Sequence, residues 1–235
     1  MNVERLRSNK VRVAVIVLVL LAVTGGVYLA FAEDESVKIS NAQELHQIRD
    51  NPSGDYVLVE DIDLSGIDNF EPIENFTGTF DGNGHKISNL TIDRPDESHV
   101  GLFSTVDEDT RLFGLVDDEG TIENVTLKDA NVTADGKVGG LVGINRGTII
   151  ESSVEGNVSA NERVGGLIGI NRNTVIKSHA EVRVTGDEWV GGLIGISNIE
   201  TNTGGIVAKS YATGDVLGGD IGRNGGRWCR TILIA

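Results

Sequence analysis

VGGLVGIN occupies Val138–Asn145, VGGLIGIN Val164–Asn171 and VGGLIGIS Val190–Ser197, so an eight-residue phrase returns twice at an interval of 26 residues. A catalytic loop is needed once; a phrase repeated at constant spacing marks a structural unit that stacks on copies of itself. Two adjacent glycines open each copy: Gly139-Gly140, Gly165-Gly166 and Gly191-Gly192. They are expected where each coil turns or bulges. A phosphate-loop reading fails, because neither GxGxxG nor GxxxxGK[ST] is present and no helix pattern follows.

The residues between the phrases align as well. Ile150, Ile176 and Ala208 share a column, as do Ser152, Ser178 and Ser210, then Val154, Ala180 and Ala212, then Val158, Val184 and Val216. These columns fall at alternate residues, the period of a strand. The columns between them are polar: Glu151, Lys177 and Lys209, then Asn157, Arg183 and Asp215. Each repeat therefore reads as one coil of a parallel β-solenoid, with equivalent strands about 4.8 Å apart. The small and β-branched columns, Ile176 among them, are expected inside and the polar ones outside. Glu151 beside Lys177, and Arg183 beside Asp215, favour this register. The serines are expected to form an inward ladder hydrogen-bonded between coils. No His or Asp repeats with them, which argues against a nucleophile. Leu141, Leu167 and Leu193 are assigned to the core, because an exposed apolar ridge invites aggregation.

Weaker copies extend upstream. VGLFS from Val100 echoes VGGLVG; GTIENVTL from Gly120 precedes its echo GTIIESSV by 27 residues; HKISNLTI from His85 shares the pattern I-x-N-[LV]-T-[IL]. Asp81-Gly82-Asn83-Gly84 is a turn signal between apolar strands, and YVLVEDIDLSG from Tyr56 alternates like an opening strand. Before it, Ser40 or Asn41 is expected to cap a short helix, with Gln43 or Glu44 completing a capping box. Leu45 and Ile48 share the face that would cover the first hydrophobic layer. The organisation expected is a signal peptide or transmembrane anchor at 1–32, a linker (33–39) and capping helix to residue 55, about six coils over 56–216, and a degenerate or truncated last coil at 217–235. In that last stretch GGRWCRTILIA abandons the pattern. TILIA has no evident layer to join, and this end is expected to fray.

Val13–Ala32 is 20 residues without a charge, long enough to cross a hydrocarbon core as a hydrophobic helix. Cations precede it and acids follow at once, which predicts a single pass with the N-terminus in the cytoplasm and the rest outside. Ala30-Phe31-Ala32 is also a cleavage signature, whose use would make the chain secreted. Arg5, Arg7, Lys10 and Arg12 against Glu4 give the first 32 residues +3, leaving −18 elsewhere in a chain of net −15. Such acidity excludes nucleic acid as a partner and fits a halophilic, acidic protein that stays hydrated in high salt. Aromatics make up only 5% of residues and Gly numbers 31 against three Pro, which favours many short strands and turns.

The repeated VGGL[VI]GI[NS], with DYVLVEDIDLSG, FTGTFDGNGHKISNLTI and VGLFS, resembles the GLUG motif of tandem-repeat surface proteins and adhesins of archaea and bacteria. The resemblance covers roughly Ile39 to Val216. It implies a right-handed parallel β-helix displayed at the cell surface, without catalytic residues.

No cofactor, metal or catalytic constellation is expected. Asp61-Ile62-Asp63-Leu64-Ser65-Gly66 begins like a calcium loop, but position twelve is Pro72 where the bidentate Glu should stand. His46, His85, His99 and His179 have no metal-ligand spacing. Sequons occur at Asn75, Asn89, Asn124, Asn131 and Asn157. Asn131 and Asn157 are the glycosylation candidates, expected outside; Asn124, placed with Ser152, and Asn89 are expected to point inward. The function expected is a non-catalytic surface module for adhesion or surface structure, with a glycan or another cell-surface protein as its ligand. The alternative is a carbohydrate-active β-helix enzyme, a polysaccharide lyase or hydrolase; the sparse aromatics weigh against it.

Overall fold

The computed structural model of the chain describes residues 16–17, 30–31, 36–107, 119–197, 205–218 and 232–234. The chain divides into two compact units, Met1–Ser36 and Val37–Ala235. In the first, Ile16–Val17 pairs antiparallel with Ala30–Phe31. These four residues thus stand extended where a hydrophobic helix was expected. β-Branched Ile16 and Val17 favour an extended backbone. The rest of that segment lies outside the described residues. Among the described residues, no helix is long and apolar enough to cross a membrane.

The second unit is β-helix-like. One sheet contains seven strands in chain order: Val37–Ile39, Tyr56–Leu58, Thr79–Asp81, Thr121–Glu123, Thr148–Ile150, Thr174–Ile176 and Ile206–Ala208. All of its pairings are parallel. A second, four-stranded sheet stacks Phe103–Val106, Val142–Asn145, Ile168–Asn171 and Ile194–Ser197, also in parallel. A third includes Thr126–Gly139, Ser153–Ser159, Glu162–Gly165 and His179–Gly186. Each coil feeds the sheets in turn. The register sets phrase on phrase, with Val142 opposite Ile168 and Ile168 opposite Ile194.

From Tyr56 to Ala208 the first sheet has the six rungs read from the sequence. Val37–Ile39, read as linker, is a further rung, with Ile39 buried; three residues are too few to display an alternation. Ile232–Ile234 pairs antiparallel with Ser210–Ala212. Ile232–Ile234 therefore does have a layer to join, the edge of the last rung, while the rest of 219–235 lies outside the described residues.

The helix α1, Ala42–Gln47, has Asn41 as its N-cap: the Glu44 N–H donates to the Asn41 side chain at 2.9 Å. Glu44 in turn accepts from the Ser40 N–H at 2.7 Å and from its hydroxyl at 2.9 Å. Leu45 and Ile48 are fully buried over the first coils. These hydrogen bonds, the Ser40 N–H first, hold the Glu44 carboxyl below its ordinary value. The folded-state value being the lower one, this stabilisation is present above the ordinary carboxylate range and is lost as the pH falls through the lowered value. Asn41→Ala should cost about 1 kcal/mol in urea denaturation.

Left-handed residues sit at the corners and reset the alternation. Asn124, Glu151, Lys177 and Lys209, with φ from 53° to 56° in three of them and 49° in Glu151, stand between the first sheet and the third. A residue in that conformation turns the chain without exchanging faces, so the phase on one side does not carry to the other. The inward column of the first sheet is therefore Phe80, Ile122, Ile149 and Val175, all fully buried. Ile150, Ile176 and Ala208 do stack on one another, but they are only half-buried and face out. The expected burial of Ile176 is corrected accordingly. Beyond the corner the reading holds: Ser152, Ser178, Val154, Ala180, Val158 and Val184 are inside. The leucines of the phrase, Leu141, Leu167 and Leu193, also lie in the core.

The early coils use phenylalanine where the later ones use Val and Ile. Phe70, Phe76, Phe80 and Phe103 are fully buried. Phe103 packs against Phe76 at 4.9 Å and Phe80 at 5.4 Å between ring centres, geometries that favour tilted aromatic pairs.

Candidate functional site

The paired glycines stand where the chain leaves Glu162–Gly165 for Ile168–Asn171, and at the equivalent places one rung before and after. None of the six has positive φ. Their reason is space. A Cβ on Gly166 would lie 2.9 Å from the Ala180 Cβ, and one on Gly140 would lie 2.6 Å from a Val154 methyl. The third glycine of the phrase, which the sequence reading passed over, is equally constrained. A Cβ on Gly143 would lie 2.6 Å from the His99 carbonyl carbon, on Gly169 2.5 Å from that of Lys137, and on Gly195 2.7 Å from that of Arg163.

The serine column forms the expected ladder. The Ser152 N–H donates to the Ser178 hydroxyl at 3.2 Å and the Ser178 N–H to that of Ser210 at 3.1 Å. Each of these three hydroxyls donates to the carbonyl two residues before it. All their capacity is structural. A second ladder was missed: Asn145 and Asn171, which end the repeated phrase, are fully buried. The Asn145 amide donates to the Asn171 side-chain oxygen at 2.8 Å. Alternation after Ile144 and Ile170 would have turned these asparagines outward, so only their recurrence at the end of the phrase hinted at a ladder.

The outward charge columns pair as read, Lys177 with Glu151 at 2.6 Å and Arg183 with Asp215 at 3.3 Å. Asn131 and Asn157 stack on each other and are exposed. Asn89 and Asn124 are not inward. Both are half-exposed and left-handed, with φ 59° and 56°. Asn124 stands in the column of Glu151, since Glu123 pairs with Ile150 and Thr126 with Ser153; the gap that placed it with Ser152 does not exist. Their amides nevertheless donate to carboxylates, Asn89 to Asp63 at 2.8 Å and Asn124 to Asp81 at 2.9 Å. In a glycosylating host, mass spectrometry should find sugar on Asn131 and Asn157 and none on Asn89 or Asn124, whose amide nitrogens are already committed.

Asp61 and Asp63, the start of the calcium-like stretch, are occupied by protein donors. Asp61 accepts from the Lys86 N–H at 3.1 Å, and Asp63 from the Asn89 amide and the Ser65 N–H. These bonds lower both carboxyls from their ordinary values, led by the Lys86 N–H for Asp61 and the Asn89 amide for Asp63. Among the described residues no group of three or more His, Cys, Asp or Glu is placed to hold a metal.

The surface feature with the most distinctive chemistry is another left-handed corner column: His99, Lys137, Arg163 and Trp189, with φ of 63°, 56°, 53° and 57°. Their flanking residues pair rung to rung. The Lys137 ammonium lies 2.9 Å from His99 Nε2. Burial, then the charges of Lys137, Arg146 and Arg172, push the His99 imidazole below its ordinary value, so it accepts from Lys137 as a neutral ring. Trp189 is 61% exposed. At the His99 end lies a polar cleft of about 400 Å³, lined by Glu71, Asn75, Arg94, Glu97, Ser98 and His99 among others.

No family model matches the chain. Over 139 residues it is 37% identical to a protein named Halomucin from Haloquadratum walsbyi; over 144 residues it is 33% identical to a "Putative Gly-rich membrane protein" from Evansella cellulosilytica. The matched stretches are 52% and 53% of this chain but only 1% and 16% of those proteins. Among solved structures it is similar to a "putative immunoglobulin A1 protease from Bacteroides ovatus", with a TM-score of 0.63 at 20% identity, covering 80% of this chain and 59% of that one. At that identity the likeness shows a shared fold and says nothing about activity.

Proposed function

We propose that the chain is a non-catalytic β-helix module of the GLUG-repeat type, displayed on the outer side of the cell membrane or secreted, where it serves adhesion or surface structure. The carrying observation is the repeat itself. A stretch covering half of this chain recurs as a small part of two longer proteins, one named Halomucin and the other a membrane protein. A unit reused inside larger chains without a repeated acid–base constellation behaves as a building block. The coils are about 26 residues long and right-handed, the hand that parallel crossovers adopt. The acidic surface and the relative's name, Halomucin, support a halophilic setting.

Two measurements test this reading. Fractionation of native cells should find the chain in the medium or accessible to protease on the intact surface; a chain found only in the cell interior would end the proposal. Salt titration should raise the melting temperature steeply between dilute and molar salt, because molar salt screens charges to about 3 Å. A flat response would remove the halophilic part.

A further inference from the structure

This left-handed corner column carries a histidine and a tryptophan, where the corners at Asn89 and Asn124 carry no aromatic residue. Side chains pay a steric penalty at positive φ, which Gly avoids and Asn and Asp relieve by local hydrogen bonding. Asn89, Asp129, Gly156 and Gly214 follow that rule, while Glu151, Lys177 and Lys209 at the corner after the first sheet do not. The fourth member of the present column is a tryptophan, bulky and fully in the left-handed region, where such a residue is a genuine outlier. Lys137 and Arg163 ease the conformation no better. Yet the position is outward, so packing does not select these side chains. The column is also rigidly backed: Gly143, Gly169 and Gly195 press against the backbones of His99, Lys137 and Arg163.

Cations gather here although the chain has 35 acids against 20 Lys and Arg. Arg146 and Arg172 lie close enough to depress the His99 pKa along with Lys137. Acids are present too: Glu162 pairs with Arg163 at 2.5 Å, Asp107 with Arg146 at 2.8 Å and Glu97 with Arg94 at 2.8 Å. Lys137 and Arg172 hold no carboxylate among the described residues. The result is a line one residue wide, with one group per rung at about 4.8 Å, ending in an exposed indole.

We propose that the column His99–Lys137–Arg163–Trp189 is a docking strip for an anionic polysaccharide, laid along the solenoid axis with its carboxylates or sulfates on the cations and one sugar ring stacked on Trp189. A linear polymer with regularly spaced charge matches a linear array of regularly spaced donors. The indole face offers the apolar contact that a pyranose ring accepts. A duplex nucleic acid, wide and densely charged, would bring its phosphates against the flanking Glu162, Glu188 and the net negative surface. This inference rests on the surface-module reading and names the ligand class and the site within it.

The test is a titration of the full chain with oligogalacturonate as the carboxylate probe, a heparin-derived oligosaccharide as the sulfate probe, a neutral cello-oligosaccharide and poly-glutamate. At least one acidic oligosaccharide should bind and quench the tryptophan fluorescence of the chain, and the neutral sugar should not; this comparison needs no variant. Lys137→Ala with Arg163→Ala should weaken binding tenfold or more, and Trp189→Ala should weaken it and remove the quench, both without lowering the melting temperature. Failure of both acidic sugars to bind overturns the inference, as does binding indifferent to these substitutions. Preferential binding of poly-glutamate, unaffected by Trp189→Ala, would overturn it in favour of an acidic protein partner. If native cells display or secrete the chain while no acidic sugar binds, this inference falls alone; if the chain stays inside them, the reading beneath it falls as well.

Discussion

Val175→Asp should largely unfold the solenoid, whereas Ile176→Asp, one residue away, should be tolerated. Val175 is fully buried between Ile149 and Val207 in the stack of the first sheet. An aspartate there has no donor to meet, and it must either stay ionised in apolar surroundings or take up a proton and still leave its polar atoms unpaired. The neighbouring rungs sit at a fixed spacing, so the site cannot open without breaking two ladders. A loss on the order of 4 kcal/mol is expected, a large share of the ~5–15 kcal/mol that stabilises a domain. Ile176 is half-buried and points outward. Its replacement loses only part of an apolar contact with Ile150 and Ala208, about 1 kcal/mol. Urea denaturation of the two variants checks the contrast, and equal midpoints would show that the inward and outward faces have been exchanged.

Gly169→Val is the second large effect. Its Cβ would lie 2.5 Å from both the Lys137 carbonyl carbon and the Val138 nitrogen. These are backbone atoms inside a paired strand, so they have no rotamer to change. Relief requires prying the Ile168–Asn171 strand away from the third sheet, at a cost on the order of 3 kcal/mol. Gly136→Ala is the matched control. Its nearest neighbours would lie 3.7 Å away, and the same column carries Ser98, Glu162 and Glu188 in other rungs. That change should stay within about 0.5 kcal/mol. Thermal melts of both variants decide it; a tolerant Gly169 would mean that the two sheets are not in close contact there.

The two contrasts also show which parts of the molecule a reader of the sequence could reach. The column assignments came directly from the spacing of VGGL[VI]GI[NS], because in a stacked coil a column in the alignment is a ladder in space. Ser152 over Ser178 and Lys177 over Glu151 follow from that alone. The helix cap at Asn41, with Glu44 reaching back to Ser40, was visible because it is local. The phase of Ile149 against Ile150 was hidden, because Glu151 at φ 49° breaks the alternation and nothing in a glutamate announces a left-handed conformation. The same misphasing sent Asn124 inward. Asn145 and Asn171 looked like loop asparagines, and their burial shows only when the rungs are stacked. The docking strip was out of reach for a related reason: His99, Lys137, Arg163 and Trp189 are four unlike residues, so repeat alignment does not flag them as a set. Their common property is position on one corner.

Cross-linking across one rung tests the parallel stacking most directly. Glu151→Cys and Lys177→Cys, in a chain whose own Cys229 is changed to Ser, place thiols on the same corner of adjacent rungs about 4.8 Å apart, within the ~4.4–6.8 Å that a disulfide spans. Glu151→Cys with Lys209→Cys places them two rungs apart, at about twice that distance and out of reach. Under mild oxidation the first pair should form an intramolecular disulfide nearly completely and the second none. A disulfide in the second pair but not the first, or in neither, would contradict a solenoid in which each repeat lies in register on the next.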